Sequence, residues 1–133
     1  MDKKDEKILQ ILKKNGRASY TDISEKVDVS EATVRNRIEK MRENNVIERF
    51  TVKTGRKESK AVVMAKLETG RDIENILDKF PGQIQIKEVT GDYDLIIELE
   101  RSSNQEINKI LDKIREISGV KNTETYMVLQ ERA

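Results

Sequence analysis

The sequence predicts an α+β protein in two parts: three N-terminal helices, then a β-α-β-β-α-β unit. Three observations predict it. Apolar residues recur at helical spacing through about the first 45 positions. Beyond residue 60 the pattern switches to short apolar strands separated by helical stripes. That second stretch also repeats itself at an offset of 37 residues, which lays Ile73 on Ile110, Leu77 on Ile114, Phe80 on Ile117 and Gly82 on Gly119.

The first helix is predicted from Asp2 to about Asn15, with Ile8, Ile11 and Leu12 at i, i+3, i+4 and a stop before Gly16. A second, shorter helix is expected after Thr21, read as its N-cap, with Ile23 and Val27 turned inward. The link through Asp28 and Val29 is tight. Ser30 caps a third helix whose apolar face is Val34, Ile38 and Met41, and which stops near Asn44 and Asn45, where asparagine tolerates the left-handed conformation of a helix end. Three short helices with a tight turn between the second and third make a helix-turn-helix pattern.

Residues 46–53 read as a strand that closes the first region, 1–53, and residues 54–60 as a polar linker. The second region, 61–133, opens with an apolar strand over 61–67. Ile73, Ile76, Leu77 and Phe80 mark a helix closed by Pro81 and Gly82. Ile84 and Ile86 alternate with glutamines in a strand ending at Thr90, and a turn at Gly91, Asp92, Tyr93 and Asp94 leads into a strand over 95–99. Ile107, Ile110, Leu111 and Ile114 repeat the helical stripe, and a last strand runs from about Lys121 to Gln130. A doubled βαβ of this size is the ferredoxin-like arrangement, one sheet with two helices on one face. Its other face has to be covered, with Val62, Met64 and Val128 as candidates, and a second copy is the simplest cover. A dimer or larger homo-oligomer is therefore expected.

Composition narrows the function. Neither cysteine nor histidine is present, which removes thiolate and imidazole metal ligands, thiol nucleophiles and the commonest general base. No metal, cofactor or enzymatic activity is expected. No apolar run approaches the roughly 18 residues of a membrane span, and no signal-peptide core follows the lysine-rich start, so a cytoplasmic location is expected. The net charge of +1 hides an asymmetry. Residues 1–60 hold 16 lysines and arginines against 11 acids, net +5, and residues 61–133 hold 10 against 14, net −4. A basic first region points to a polyanionic partner, which a helix-turn-helix would make double-stranded DNA, although a chance split of solvated charge would look the same.

With Val34, Ile38 and Met41 inward, the third helix presents Asn36 and Lys40, flanked by Thr33, Arg35 and Arg37. Arginine can fork onto guanine, asparagine can pair bidentately with adenine, and lysine and threonine suit phosphate oxygens. Ser30 and Glu31 open the first turn, where Glu31 either accepts from a cytosine amine or favours the helix N-terminus. The expected DNA-binding set is thus Ser30, Glu31, Thr33, Arg35, Asn36, Arg37 and Lys40. Arg17 and Arg49 are weaker phosphate candidates. The competing reading is a solvated amphipathic helix, which Glu39 and Glu43 favour and the two preceding short helices oppose. A further alternative is a small-molecule-binding or assembly module whose N-terminal helices make protein contacts.

Several runs together resemble the Lrp/AsnC (feast/famine) regulators: Asp5 to Leu9, Gly16 to Ser19, Ile23-Ser24, Val29-Ser30, Val34 to Ile38, Gly91 to Asp94, and Gly119 to Met127. The resemblance spans nearly the whole chain. It implies a DNA-binding transcriptional regulator that dimerises through its C-terminal domain, stacks into tetramers or octamers, and senses a free amino acid. It places the effector at Gly91, Asp92, Tyr93, Asp94, Thr123, Thr125 and Met127, where turn amides and hydroxyls would hold a carboxylate and an aspartate an ammonium group. Without a ligand, Gly91 to Asp94 reads as a hairpin turn. The seven-residue linker is shorter than the hinge of many such proteins, which restricts how far the DNA-binding heads spread.

Overall fold

The computed structural model describes residues 1–70 and 72–132; Arg71 and Ala133, both within the expected second region, lie outside the described residues. The chain divides into two compact units between Gly55 and Arg56, a point inside the expected linker.

Three helices build the first unit: α1 (Lys3–Lys14), α2 (Tyr20–Val27) and α3 (Glu31–Glu43). Each begins on a side-chain cap that satisfies an otherwise orphaned amide. Asp2 Oδ1 accepts from Asp5 N at 2.9 Å, Ser19 Oγ from Asp22 N at 3.0 Å, and Ser30 Oγ from Thr33 N at 3.1 Å. The cap of α2 is therefore Ser19 and not Thr21. Ser19 has the extended backbone a cap requires, and Thr21 already lies in the first helical turn. Asp28, at φ 60°, reverses the chain after α2, and Asn45, at φ 57°, follows the end of α3. These are left-handed positions, which aspartate and asparagine tolerate better than most side chains. Ile8, Ile23, Val27, Val34, Ile38 and Met41 form the core, with Leu9, Ile11, Leu12, Ala18, Val29 and Ile47 packed around it.

The expected strand over residues 46–53 is absent. Val46 N and Ile47 N both bond back to Met41 O, at 2.8 and 3.0 Å, Ile47 joins the helical core, and Val52 is 79% exposed. Alternating apolar residues suit a strand, but a strand exists only where another backbone pairs with it, and this unit has none among its described residues.

The second unit contains β1 (Ser59–Leu67), α4 (Ile73–Asp78), β2 (Gln85–Glu88), β3 (Leu95–Arg101), α5 (Asn104–Arg115) and β4 (Val120–Met127). The strands form one antiparallel sheet in the order β2-β3-β1-β4, which is the predicted ferredoxin-like topology. β1 takes in Ser59 and Lys60 from the expected linker, while β2 and β4 stop short of Thr90 and Gln130. Alternation along the strands assigns the faces. Ala61, Val63, Ala65 and Leu67 of β1 and Leu95, Ile97 and Leu99 of β3 are buried with Ile76, Ile107, Leu111, Ile114 and Ile117. Val62 and Met64 point the other way, with Ile96 and Tyr126 beside them in the register, and Val128 lines a hollow on that face with Val62 and Lys60.

The internal repeat is looser than its spacing suggests. α4 has six residues against the twelve of α5, and Ile73 is 40% exposed. After Asp78 the chain tightens, with Lys79 N bonding to Ile76 O and Phe80 N to Leu77 O, so the expected helix through Phe80 ends early. The positive φ also moves. Gly119 carries it at 104° in the second half, but in the first it falls on Gln83, at 61°, one residue past Gly82.

Candidate nucleic-acid interface and effector turn

The apolar face of α3 is spent on the core, so its opposite side faces out. Asn36 and Lys40 are exposed there with Ala32, Glu39 and Glu43. Thr33, Asn36, Arg37 and Lys40 line a hollow of about 340 Å³ together with Asp5 of α1. The turn from Asp28 to Ser30 holds α2 against α3, and Thr21 Oγ1 donates to Glu31 Oε1 at 2.5 Å across it.

The charged residues flanking that outward surface are already engaged. The Arg35 guanidinium lies 5.4 Å from the centre of the Tyr20 ring, a cation–π distance. Arg42, one heptad on, stands 5.6 Å from the ring of Phe50. Arg37 Nη1 donates to Asp2 Oδ2 at 2.7 Å and to Asp5 Oδ1 at 3.0 Å, and Arg37 Nε is buried without a hydrogen-bond partner among the described residues. The Asp2 carboxyl is held below the usual carboxylate range, first by the Asp5 amide it caps and then by Arg37. Arg37 in turn holds its proton more tightly because of Asp2 and Asp5. Glu31 is tied to Thr21, and Ser30 and Thr33 share a 2.8 Å hydroxyl contact beside the cap bond. Among the seven predicted positions, Asn36 and Lys40 have exposed side chains with no hydrogen bond, ion pair or ring contact among the described residues.

In the second unit the turn at Gly91–Asp94 folds over the end of β1. Asp94 N bonds to Ala65 O and Asp94 Oδ2 accepts from Leu67 N at 2.8 Å, while Lys66 Nζ reaches Asp92 O at 3.1 Å. Gly91 has φ 125°, a region that side chains avoid. Tyr93 Oη crosses β1 and donates to Glu124 Oε2 at 2.5 Å. The strand residues of the expected effector set are not brought to this bond. Thr123 and Thr125 pair with Ala65 and Val63 and Met127 with Ala61, which puts all three on the helix-covered side of the sheet. Thr123 Oγ1 accepts from Arg115 Nε at 3.4 Å, and Thr125 Oγ1 is buried without a hydrogen-bond partner among the described residues.

Sequence reasoning missed Asp2, Asp5 and Tyr20 as partners of the α3 arginines, and Glu124 as the partner of Tyr93. The signal for Glu124 was available: between two threonines on one face, a strand places the intervening residue on the other.

Comparison with known proteins agrees with both units. The AsnC-type helix-turn-helix domain matches residues 1–42, and the Lrp/AsnC ligand binding domain matches residues 60–133. The HTH-type transcriptional regulator LysM of Saccharolobus solfataricus is 38% identical over 134 residues, covering 98% of this chain and 94% of that protein. The crystal structure of PH0061 superposes with a TM-score of 0.89 at 19% identity, covering 100% of this chain and 95% of that one. A transcriptional regulator from Neisseria meningitidis, NMB0573 in complex with L-Met, gives 0.78 at 22% identity, covering 98% and 91%. The two structural likenesses show the fold; the domain matches and the LysM identity show the family. The chain belongs to the Lrp/AsnC family of helix-turn-helix transcriptional regulators.

Proposed function

We propose that this regulator lays α3 in the major groove of duplex DNA, reading bases with Asn36 and contacting phosphate with Lys40, as a homodimer joined through the open face of its sheet. The observation that carries it is the exposed, unengaged pair Asn36 and Lys40 on the side of α3 opposite its buried apolar face. A helix fits the major groove, and the major groove alone carries an unambiguous donor and acceptor code. Support for the dimer is the open sheet face, where Val62, Met64, Ile96 and Val128 are only half-buried and Tyr126 is exposed. An amino-acid effector is supported by the L-Met complex of the Neisseria regulator and by the family of the second unit. The turn at Gly91–Asp94, with Glu124 rather than Thr123 and Thr125 facing it, is the place proposed for that ligand.

The test is a salt titration of duplex binding for the intact chain and for Lys40→Ala, using fragments selected from a random-sequence pool. The intact chain is expected to bind with a steep salt dependence, and the variant to lose about one unit of slope. A slope that Lys40→Ala leaves unchanged would remove α3 from the phosphate backbone.

A further inference from the structure

We propose that Arg37 is a positioning residue for the reading helix, clamped by Asp2 and Asp5 so that Asn36 and Lys40 meet the groove, and that it makes no contact with DNA. The inference rests on the reading of α3 given above.

The side chain that the sequence alone would send to a guanine or a phosphate points instead to the first turn of α1. Its Nη1 spans two carboxylates, at 2.7 and 3.0 Å, and only 28% of the side chain is exposed. The Asp2 carboxylate performs two tasks: Oδ1 caps α1 through Asp5 N, and Oδ2 binds Arg37. One group therefore couples the start of α1 to the middle of α3. Hydrogen bonds between ionised partners are short and directional, so this clamp sets the rotation of α3 against α1 more sharply than apolar packing alone.

Moving Arg37 to a phosphate would break both bonds and leave Asp2 and Asp5 facing a polyanion. Like charges would then oppose the docking that the move was meant to assist. In place, the arginine offsets part of their charge. Arg37, Asp2 and Asp5 together carry −1, so the cluster offers no cation to displace counterions from DNA.

The two roles predict opposite signs for the same variant. The experiment uses the full chain and a duplex that it selects from a random pool, with affinity measured across a salt series for D2N/D5N, R37A, R37K and K40A. Asparagine also serves as an N-cap, so D2N removes the clamp's charge without uncapping α1. If Arg37 positions, D2N/D5N weakens binding about tenfold at unchanged salt slope, and R37A does the same. R37K, which keeps a cation between the carboxylates, restores most of the affinity. K40A, the phosphate control, lowers the slope by about one.

Tighter or unchanged binding by D2N/D5N overturns the proposal, because freeing a DNA-contacting arginine from two acids would strengthen it. A loss of about one unit of slope in R37A overturns it as well. If circular dichroism shows R37A unfolded, the isosteric D2N/D5N and the conservative R37K decide the matter. Failure of the α3 reading looks different: K40A then leaves the slope unchanged whatever Arg37 does, and an intact chain that binds no duplex overturns both.

Discussion

The hydroxyl of Tyr93 donates a 2.5 Å hydrogen bond to Oε2 of Glu124, joining the turn before β3 to the edge strand β4 across the end of β1. Glu124 is opposite Met64 in the register and Tyr126 opposite Val62, so the bond sits on the open face of the sheet. A turn pinned at Asp94 by Leu67 and at Tyr93 by Glu124 is already ordered, which lowers the cost of ordering it on binding the proposed ligand.

Tyr93→Phe is expected to loosen this turn, with several-fold faster exchange of the amides at 89–94, which hydrogen-exchange mass spectrometry would read. The bond also sets a pH window. Glu124 is held below its ordinary value, first by Tyr93 and then by Tyr126, so its contribution is present above about pH 4.5 and lost as pH falls through the lowered value. Tyr93 is raised, first by its bond to Glu124, so its contribution is present below about pH 10 and lost as pH rises through the raised value. Turn protection that stays flat across both limits in the wild type would show that the bond contributes nothing.

Lys40→Ala should weaken duplex binding nearly uniformly across sequences and reduce the salt slope by about one, as measured by fluorescence anisotropy. A phosphate contact positions the protein and carries no base information.

Asn36→Ala should act differently. An asparagine paired with adenine discriminates by about 1–3 kcal/mol at one base pair, so the variant is expected to lose preference at a single operator position while keeping the wild-type salt slope. Selection of bound fragments by both proteins would show the flattened position.

Val62→Glu places a carboxylate at the centre of the open sheet face, beside Glu98 in the register. Burying an unpaired charge is costly, so the variant is expected to sediment as a monomer at concentrations where the wild type forms the proposed dimer. An unshifted sedimentation profile would locate the dimer contact elsewhere.

Ile107→Ala should cost about 2–5 kcal/mol, since Ile107 is fully buried between α5 and the sheet. The two cores are made of separate residues. Exchange should therefore rise in β1 and β3 while α1–α3 keep their protection.

Apart from the strand over residues 46–53, periodicity was sufficient for the order of the elements, the core of each unit and the exposed side of α3, because burial of an apolar stripe is a local property of spacing. It placed Val34, Ile38 and Met41 inward and Asn36 and Lys40 outward. Periodicity was silent on which charged side chain would be free. Arg37, Arg35 and Glu31 have the chemistry to bind DNA, but their partners are Asp2 and Asp5, Tyr20, and Thr21, which lie elsewhere in the chain. Likewise, alternation over residues 46–53 described a strand in composition only, since pairing needs a second backbone. Local spacing and the order of the motifs were enough for the three helices, the β-α-β-β-α-β sheet and the family resemblance. Which polar groups stay unengaged follows from the folded contacts, because hydrogen bonds and ion pairs form between residues distant in sequence, and a side chain already paired within its own subunit has less to offer a partner.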